Sequence, residues 1–130
     1  MKTRSMKTRT MKTFLLLLVL AAAALAHHGY AAFDTSAEVT LKGAVTDFHF
    51  TNPHCVIEID VKDDQGNVQN WKCELTSANH LAPKGWTEGS IQPGDELAIT
   101  GYRAKNGTPS LWVTKLHLAN GEDLKIDTSN

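Results

Sequence analysis

No apolar run in these 130 residues reaches the roughly 20 that a membrane-spanning helix needs; the longest, Phe14 to Ala26, is thirteen residues. Catalytic signatures are missing as well. There is no Gly-x-Ser-x-Gly elbow, no His-Glu-x-x-His pair, no Walker loop and no Gly-x-Gly-x-x-Gly turn. Nucleophilic, zincin-type and nucleotide-dependent catalysis therefore have no local motif to build on. The paired carboxylates Asp63-Asp64 and Glu122-Asp123 fall in turn-rich stretches and read as solvated loop charge. Basic residues are scarce beyond the leader: residues 1–26 hold five of the thirteen Lys and Arg and none of the fourteen Asp and Glu. That leaves eight basic residues against fourteen acidic ones, a net charge of −6. An acidic domain lacks the footprint that non-specific binding of nucleic acid or anionic membrane relies on.

What is present begins with a leader. Met1 to Thr13 repeats as MKTRS, MKTRT, MKT, with methionines at 1, 6 and 11, and translation is expected to start at Met11. The basic run, the short apolar segment and Ala24-Leu25-Ala26 match a secretory signal cut after Ala26. Residues 1–26 are thus read as a signal peptide, 27–38 as an N-terminal segment and 39–130 as one small domain. The expected location is periplasmic or secreted. Two cysteines, Cys55 and Cys73, enter an oxidising compartment and are expected to pair.

Within the domain, Val39, Leu41 and Val45 alternate with Thr40, Lys42 and Thr46, the period of a half-buried strand, broken at Gly43. Near Phe50 the apolar parity shifts to Phe48 and Phe50, which predicts a bulge and turns His49 to the opposite face. Residues 54–61 and 67–75 flank Asp63-Asp64-Gln65-Gly66 and predict a hairpin. Pairing Val61 with Asn67 sets Cys55 opposite Cys73, both toward the core. Thr76 and Ser77 open a short helical connector, and Trp86 is expected to plug one end of the core. Strands over Glu96–Arg103 and Leu111–Leu118 follow, with an edge strand at Asp123–Ile126. Three strands, a connector and two strands in about 100 residues is the element order of an all-β, five-stranded OB-like Greek-key barrel. An immunoglobulin-like sandwich needs about seven strands.

Several stretches carry a resemblance: His27 to Asp34 (HHGYAAFD), Val39 to Gly43, Thr51-Asn52-Pro53-His54, Lys84-Gly85-Trp86, Gln92 to Asp95 and Thr100 to Gly107. Together they resemble the bacterial secreted family labelled domain of unknown function 6152, over nearly the whole mature chain. The resemblance implies an exported small β-domain without assigned activity, in which the paired histidines and the Asn-Pro-His turn are hallmarks. This chain departs from it at Gly29 and Tyr30, where Ser and Phe are more usual, and at His49, where an acidic residue is expected. The cysteine pair looks like a local addition.

Six histidines supply the chemistry. A chain cut after Ala26 begins with His27, whose free amine and imidazole form a chelate ring, and imidazole nitrogens in a square plane suit Cu(II). His54 or His49 completes a three-nitrogen brace, and His28 offers a second geometry through its amide and ring. The reading is therefore a copper-binding protein using His27, His28, His54 and His49, a non-enzyme that handles metal as a monomer. An envelope protein partner remains open. Each histidine also has a bland reading, as a solvated or turn-capping residue, and His80 and His117 are read as ordinary surface or packed side chains. The alternative is a metal-free OB-fold binding module or structural envelope protein. Its aromatic surface would be Tyr30, Trp86 and Tyr102, joined by Phe33 and Trp112.

Overall fold

The computed structural model describes residues 31–126. The chain divides into two units, Met1–Ala32 and Phe33–Asn130. The expected leader and cleavage point, His27, His28 and Tyr30 lie outside the described residues. No helix among the described residues is long and apolar enough to cross a membrane.

The second unit is mostly β-sheet. Its strands are β1 (Phe33–His49), β2 (Val56–Lys62), β3 (Val68–Glu74), β4 (Glu96–Ala104), β5 (Ser110–His117) and β6 (Asp123–Lys125). A four-residue helix, α1 (Ala78–Leu81), and a 3-10 turn over Ala82–Lys84 link β3 to β4. The sheet runs β3-β2-β1-β4-β5-β6, all neighbours antiparallel, and β3 also pairs in parallel with β5. The parallel pair joins the two ends of the run β3-β2-β1-β4-β5, and β6 extends from β5 as a short edge.

Alternation explains which face is inside. Leu41 and Val45 on β1, Ile57 and Ile59 on β2, Trp71 and Cys73 on β3, Leu97 and Ile99 on β4, and Leu111, Val113 and Leu116 on β5 form one buried cluster. Leu81 and Ile91 close it from the connector, and Phe48, Phe50 and Trp86 pack against it half-buried. Trp86, expected to plug one end of the core, packs against Phe48. Ser77 caps α1 by accepting from the His80 amide. The expected bulge appears as a register shift between Val45 and Asp47, and His49 is exposed beyond it.

Three expectations are corrected. The strand read from Val39 begins six residues earlier, at Phe33. Residues Asp34 to Glu38 are all exposed and carry no alternation. The ladder partner of this stretch is β4, paired at Phe33 and again at Glu38 with a register shift between them, and Thr114 on β5 donates to the Glu38 carboxylate. Among the described residues the sheet has six strands rather than five, because the expected edge strand, here Asp123–Lys125, pairs fully with β5.

The hairpin register is the third. Val61 pairs with Gln69, not Asn67, and Cys73 pairs with Ile57. The cause is the turn. The Asp63 amide donates to the Asn67 carbonyl at 2.9 Å, and Asp63 Oδ1 accepts from the amides of Gln65 and Asn67. Asp63 and Asn67 therefore close a three-residue loop whose last member, Gly66, takes the left-handed φ of 85° that such loops require. Cys55 continues the same register opposite Leu75, just past β3, its amide donating to the Thr76 carbonyl and its carbonyl accepting from the Leu75 amide. The two cysteines are diagonal neighbours, about 7–8 Å apart in ordinary sheet geometry, at the limit of what a disulfide spans. The expected bridge is absent: both thiols are free and buried.

Candidate functional site

The closure of the sheet builds the site that involves His54. In the β3–β5 pair Glu74 lies beside Trp112, and in the β4–β5 pair Trp112 lies opposite Tyr102. Leu111 and Val113 point into the core, so Trp112 points the other way, yet it is only 1 % exposed. Two rings cover it. Phe33, at the head of β1, packs on it at a centroid distance of 5.8 Å, and the His54 imidazole meets it edge-on at 5.2 Å and 89°. His54 Nδ1 also faces Glu74 Oε2 at 3.7 Å, and the two side chains keep 24 % and 30 % of their exposure. His54 follows the cis peptide Asn52-Pro53, and the Asn52 side chain accepts from the Asn79 amide, which ties this turn to α1.

His49 belongs to a different arrangement. Its Nε2 lies 3.4 Å from Asp47 Oδ2 and 3.3 Å from Glu58 Oε1. The bulge creates this grouping by turning Asp47 and His49 to the same outer face, opposite Glu58 on β2. No hydrogen bond or ion pair joins His49 to His54, so the structure does not bring these two predicted ligands into direct contact. Among the described residues there is no group of three or more His, Cys, Asp and Glu side chains arranged to hold a metal ion. His80 Nδ1 lies 2.9 Å from Thr76 Oγ1. His117 Nδ1 contacts Asp123 at 2.6 Å, and Lys115 reaches the other oxygen of that carboxylate at 3.0 Å. These neighbours, His117 first, hold the Asp123 carboxyl below its ordinary value.

The cysteines offer little chemistry. Burial raises the Cys73 thiol to about 12, and burial raises Cys55 as well, opposed by its contact with the Thr51 carbonyl. Such thiols are poor nucleophiles and poor metal ligands near neutral pH. Among the described residues the aromatic side chains form no single exposed platform. Phe33, Trp71 and Trp112 are buried, and Trp86 packs on Phe48 at 6.3 Å. Tyr102 remains half-buried on β4.

Sequence reasoning missed Glu74 and Trp112 as neighbours of His54. Glu74 alternates outward from Cys73, which was a usable signal. Trp112 sits in a run where every residue is buried, so alternation could not assign its face. No curated protein matches the chain. The model of one family does match, over residues 15–111, and by that match the chain belongs to the family of unknown function DUF6152.

Proposed function

We propose that this chain is an exported, OB-like barrel that binds Cu(II) through His27 and His54, assisted by His28 or His49, and handles the metal in the periplasm. The barrel reading is supported by the pairing circuit, in which each of β1 to β5 pairs with two others of the five and β3 meets β5 in parallel. The export reading is supported by the leader alone.

One observation carries the copper reading: His54 and Phe33 share a single indole. Phe33 begins β1, and His27 lies six residues upstream of it. Six extended residues span at most about 20 Å, so the tether is long enough for a free N-terminal histidine to meet His54. Glu74 faces Nδ1 of His54, which leaves Nε2 as the donor. A carboxylate on the second ring nitrogen is the usual companion of a metal-bound histidine, where it fixes the tautomer. His49, with its own two carboxylates, is the less direct third ligand.

The test is Cu(II) titration, read by electron paramagnetic resonance, on protein with an authentic His27 terminus, on protein extended by one N-terminal residue, and on His54→Gln. Trp112 fluorescence supplies a second readout, since a bound Cu(II) beside His54 quenches it. The authentic terminus is expected to bind more tightly than either variant, with a distinct nitrogen coupling pattern. Because imidazole binds metal in its neutral form, affinity falls as pH drops through roughly 6.5. Equal spectra and affinities for the three proteins would sink the proposal.

A further inference from the structure

A second site lies on another part of the sheet and shares no residue with His54. The β1–β2 ladder stops at Ala44–Asp60, and beyond it Lys42 and Lys62 are not paired. Gly43 still packs against the main chain of Asp60, and an open groove of about 390 Å³ lies over this end of the two strands. Its side chains stand in two rows set by the register. In one row, Ala44 lies between Asp60 on β2 and Glu96 on β4, so a small residue is flanked by two carboxylates. In the next, Lys42 on β1 and Lys62 on β2 line the same groove, with Val68 paired to Lys62. Val68 is 53 % exposed, an exposed large apolar side chain in a domain that buries most of the others.

These charges are unspent. No carboxylate among the described residues lies within 4.0 Å of the ammonium of Lys42 or Lys62. Glu96 has no ion-pair partner by the same measure, and Asp60 is held only by the Asn70 amide at 3.0 Å. The two rows are two residues apart along each strand, which is about 7 Å. A ligand that satisfies both must carry a cation and an anion at that separation.

We infer that this groove binds a short zwitterionic peptide, its amino end at Asp60 and Glu96, its carboxylate at Lys42 and Lys62, and an apolar C-terminal side chain on Val68. An extended dipeptide separates its termini by about 6 Å, built from one 3.8 Å Cα–Cα step and a bond at each end. A single amino acid is too short. Main-chain groups assist, because Val45 bonds to Asp95 and Gly94 on the β4 side. Alternation along an antiparallel strand then directs the main chain of Lys42 toward the open groove, where it can add to an extended peptide.

The experiment is a titration of the full 15N-labelled chain with L-alanyl-L-leucine, in the presence of a chelator, followed by amide chemical shifts. Saturable shifts at Lys42, Ala44, Lys62 and Val68 are expected, with a dissociation constant of about 1 mM. N-acetyl-alanyl-leucine amide, which has neither charge, is expected to produce none. Lys42→Gln and Lys62→Gln should each weaken binding at least about fivefold, which corresponds to about 1 kcal/mol per charge-assisted contact. Both lysines are exposed, so unchanged spectra elsewhere will verify the fold. Shifts that fail to saturate, equal binding of the blocked dipeptide, or unaltered affinity in the lysine variants would each overturn the inference.

Discussion

Replacing Gly101 by alanine should loosen the sheet where the His54 site is founded. Gly101 is buried on β4 between Val39 of β1 and Val113 of β5, at the point where the β4–β5 register slips. A Cβ built there falls inside contact distance of the Trp112 carbonyl oxygen, 2.8 Å from its carbon and 3.1 Å from the Val113 Cα. Every one of these atoms is main chain, so no side chain can rotate away. Carbon atoms in contact sit at about 3.5–4.0 Å, and β5 must therefore retreat by roughly 1 Å from β4. Overpacking of this kind costs about 1–3 kcal/mol, and each weakened ladder hydrogen bond adds about 1 kcal/mol. A total near 3–4 kcal/mol is a large part of the roughly 5–15 kcal/mol that holds a domain of this size. With a urea slope of about 1–1.5 kcal/mol per molar, the unfolding midpoint should fall by about 2–4 M. Tryptophan fluorescence during urea titration reads it. Gly89→Ala is the control, because a Cβ there meets only Thr87 Oγ1, at 3.7 Å. If Gly101→Ala unfolds within about 0.5 M of the parent chain, the geometric reasoning is wrong.

The other predictions rest on titrating groups. With Cys73 raised to about 12 and Cys55 raised by burial, native protein at pH 8 should react with a disulfide reagent only on the timescale of unfolding, and release two equivalents in denaturant. Stoichiometric labelling of folded protein within minutes would contradict this. Asp123 titrates below its ordinary value because His117 and Lys115 favour its charged form. Its contribution is therefore complete above about pH 4, the unfolded value, and is lost as pH falls through the lowered folded value. The melting temperatures of the parent chain and Asp123→Asn should differ by a constant amount from pH 6 to 4 and converge below that. A gap that widens in acid would reverse the sign of the argument.

What local pattern can and cannot encode divides along a physical line. The β2–β3 hairpin is legible because Asp63, Asp64 and Gly66 interrupt two alternating runs, and the bulge is legible because Phe48 and Phe50 break the parity of Leu41 and Val45. The hairpin register is not, since it depends on which main-chain amides the Asp63 carboxylate accepts. A two-residue change there separates Cys55 from Cys73 and removes the disulfide. The polar start of β1 is illegible for a related reason: Asp34 to Glu38 are strand only because β4 lies beside them.

The His54 site is the extreme case. His54, Glu74 and Trp112 belong to three segments, and nothing in any one of them names the others. Glu74 meets Trp112 only through the parallel β3–β5 pairing, the contact that joins the ends of the sheet. Phe33 reaches the same indole only because β1 continues past its alternating stretch. Forming the site and closing the sheet are therefore one event. A substitution that opens β3 from β5 should release His54 from its indole before it exposes the core cluster, because His54 rests on the outer face of that junction. On the proposed function, in which His54 is a metal ligand, metal affinity should follow the integrity of the β3–β5 pair rather than the overall stability of the domain.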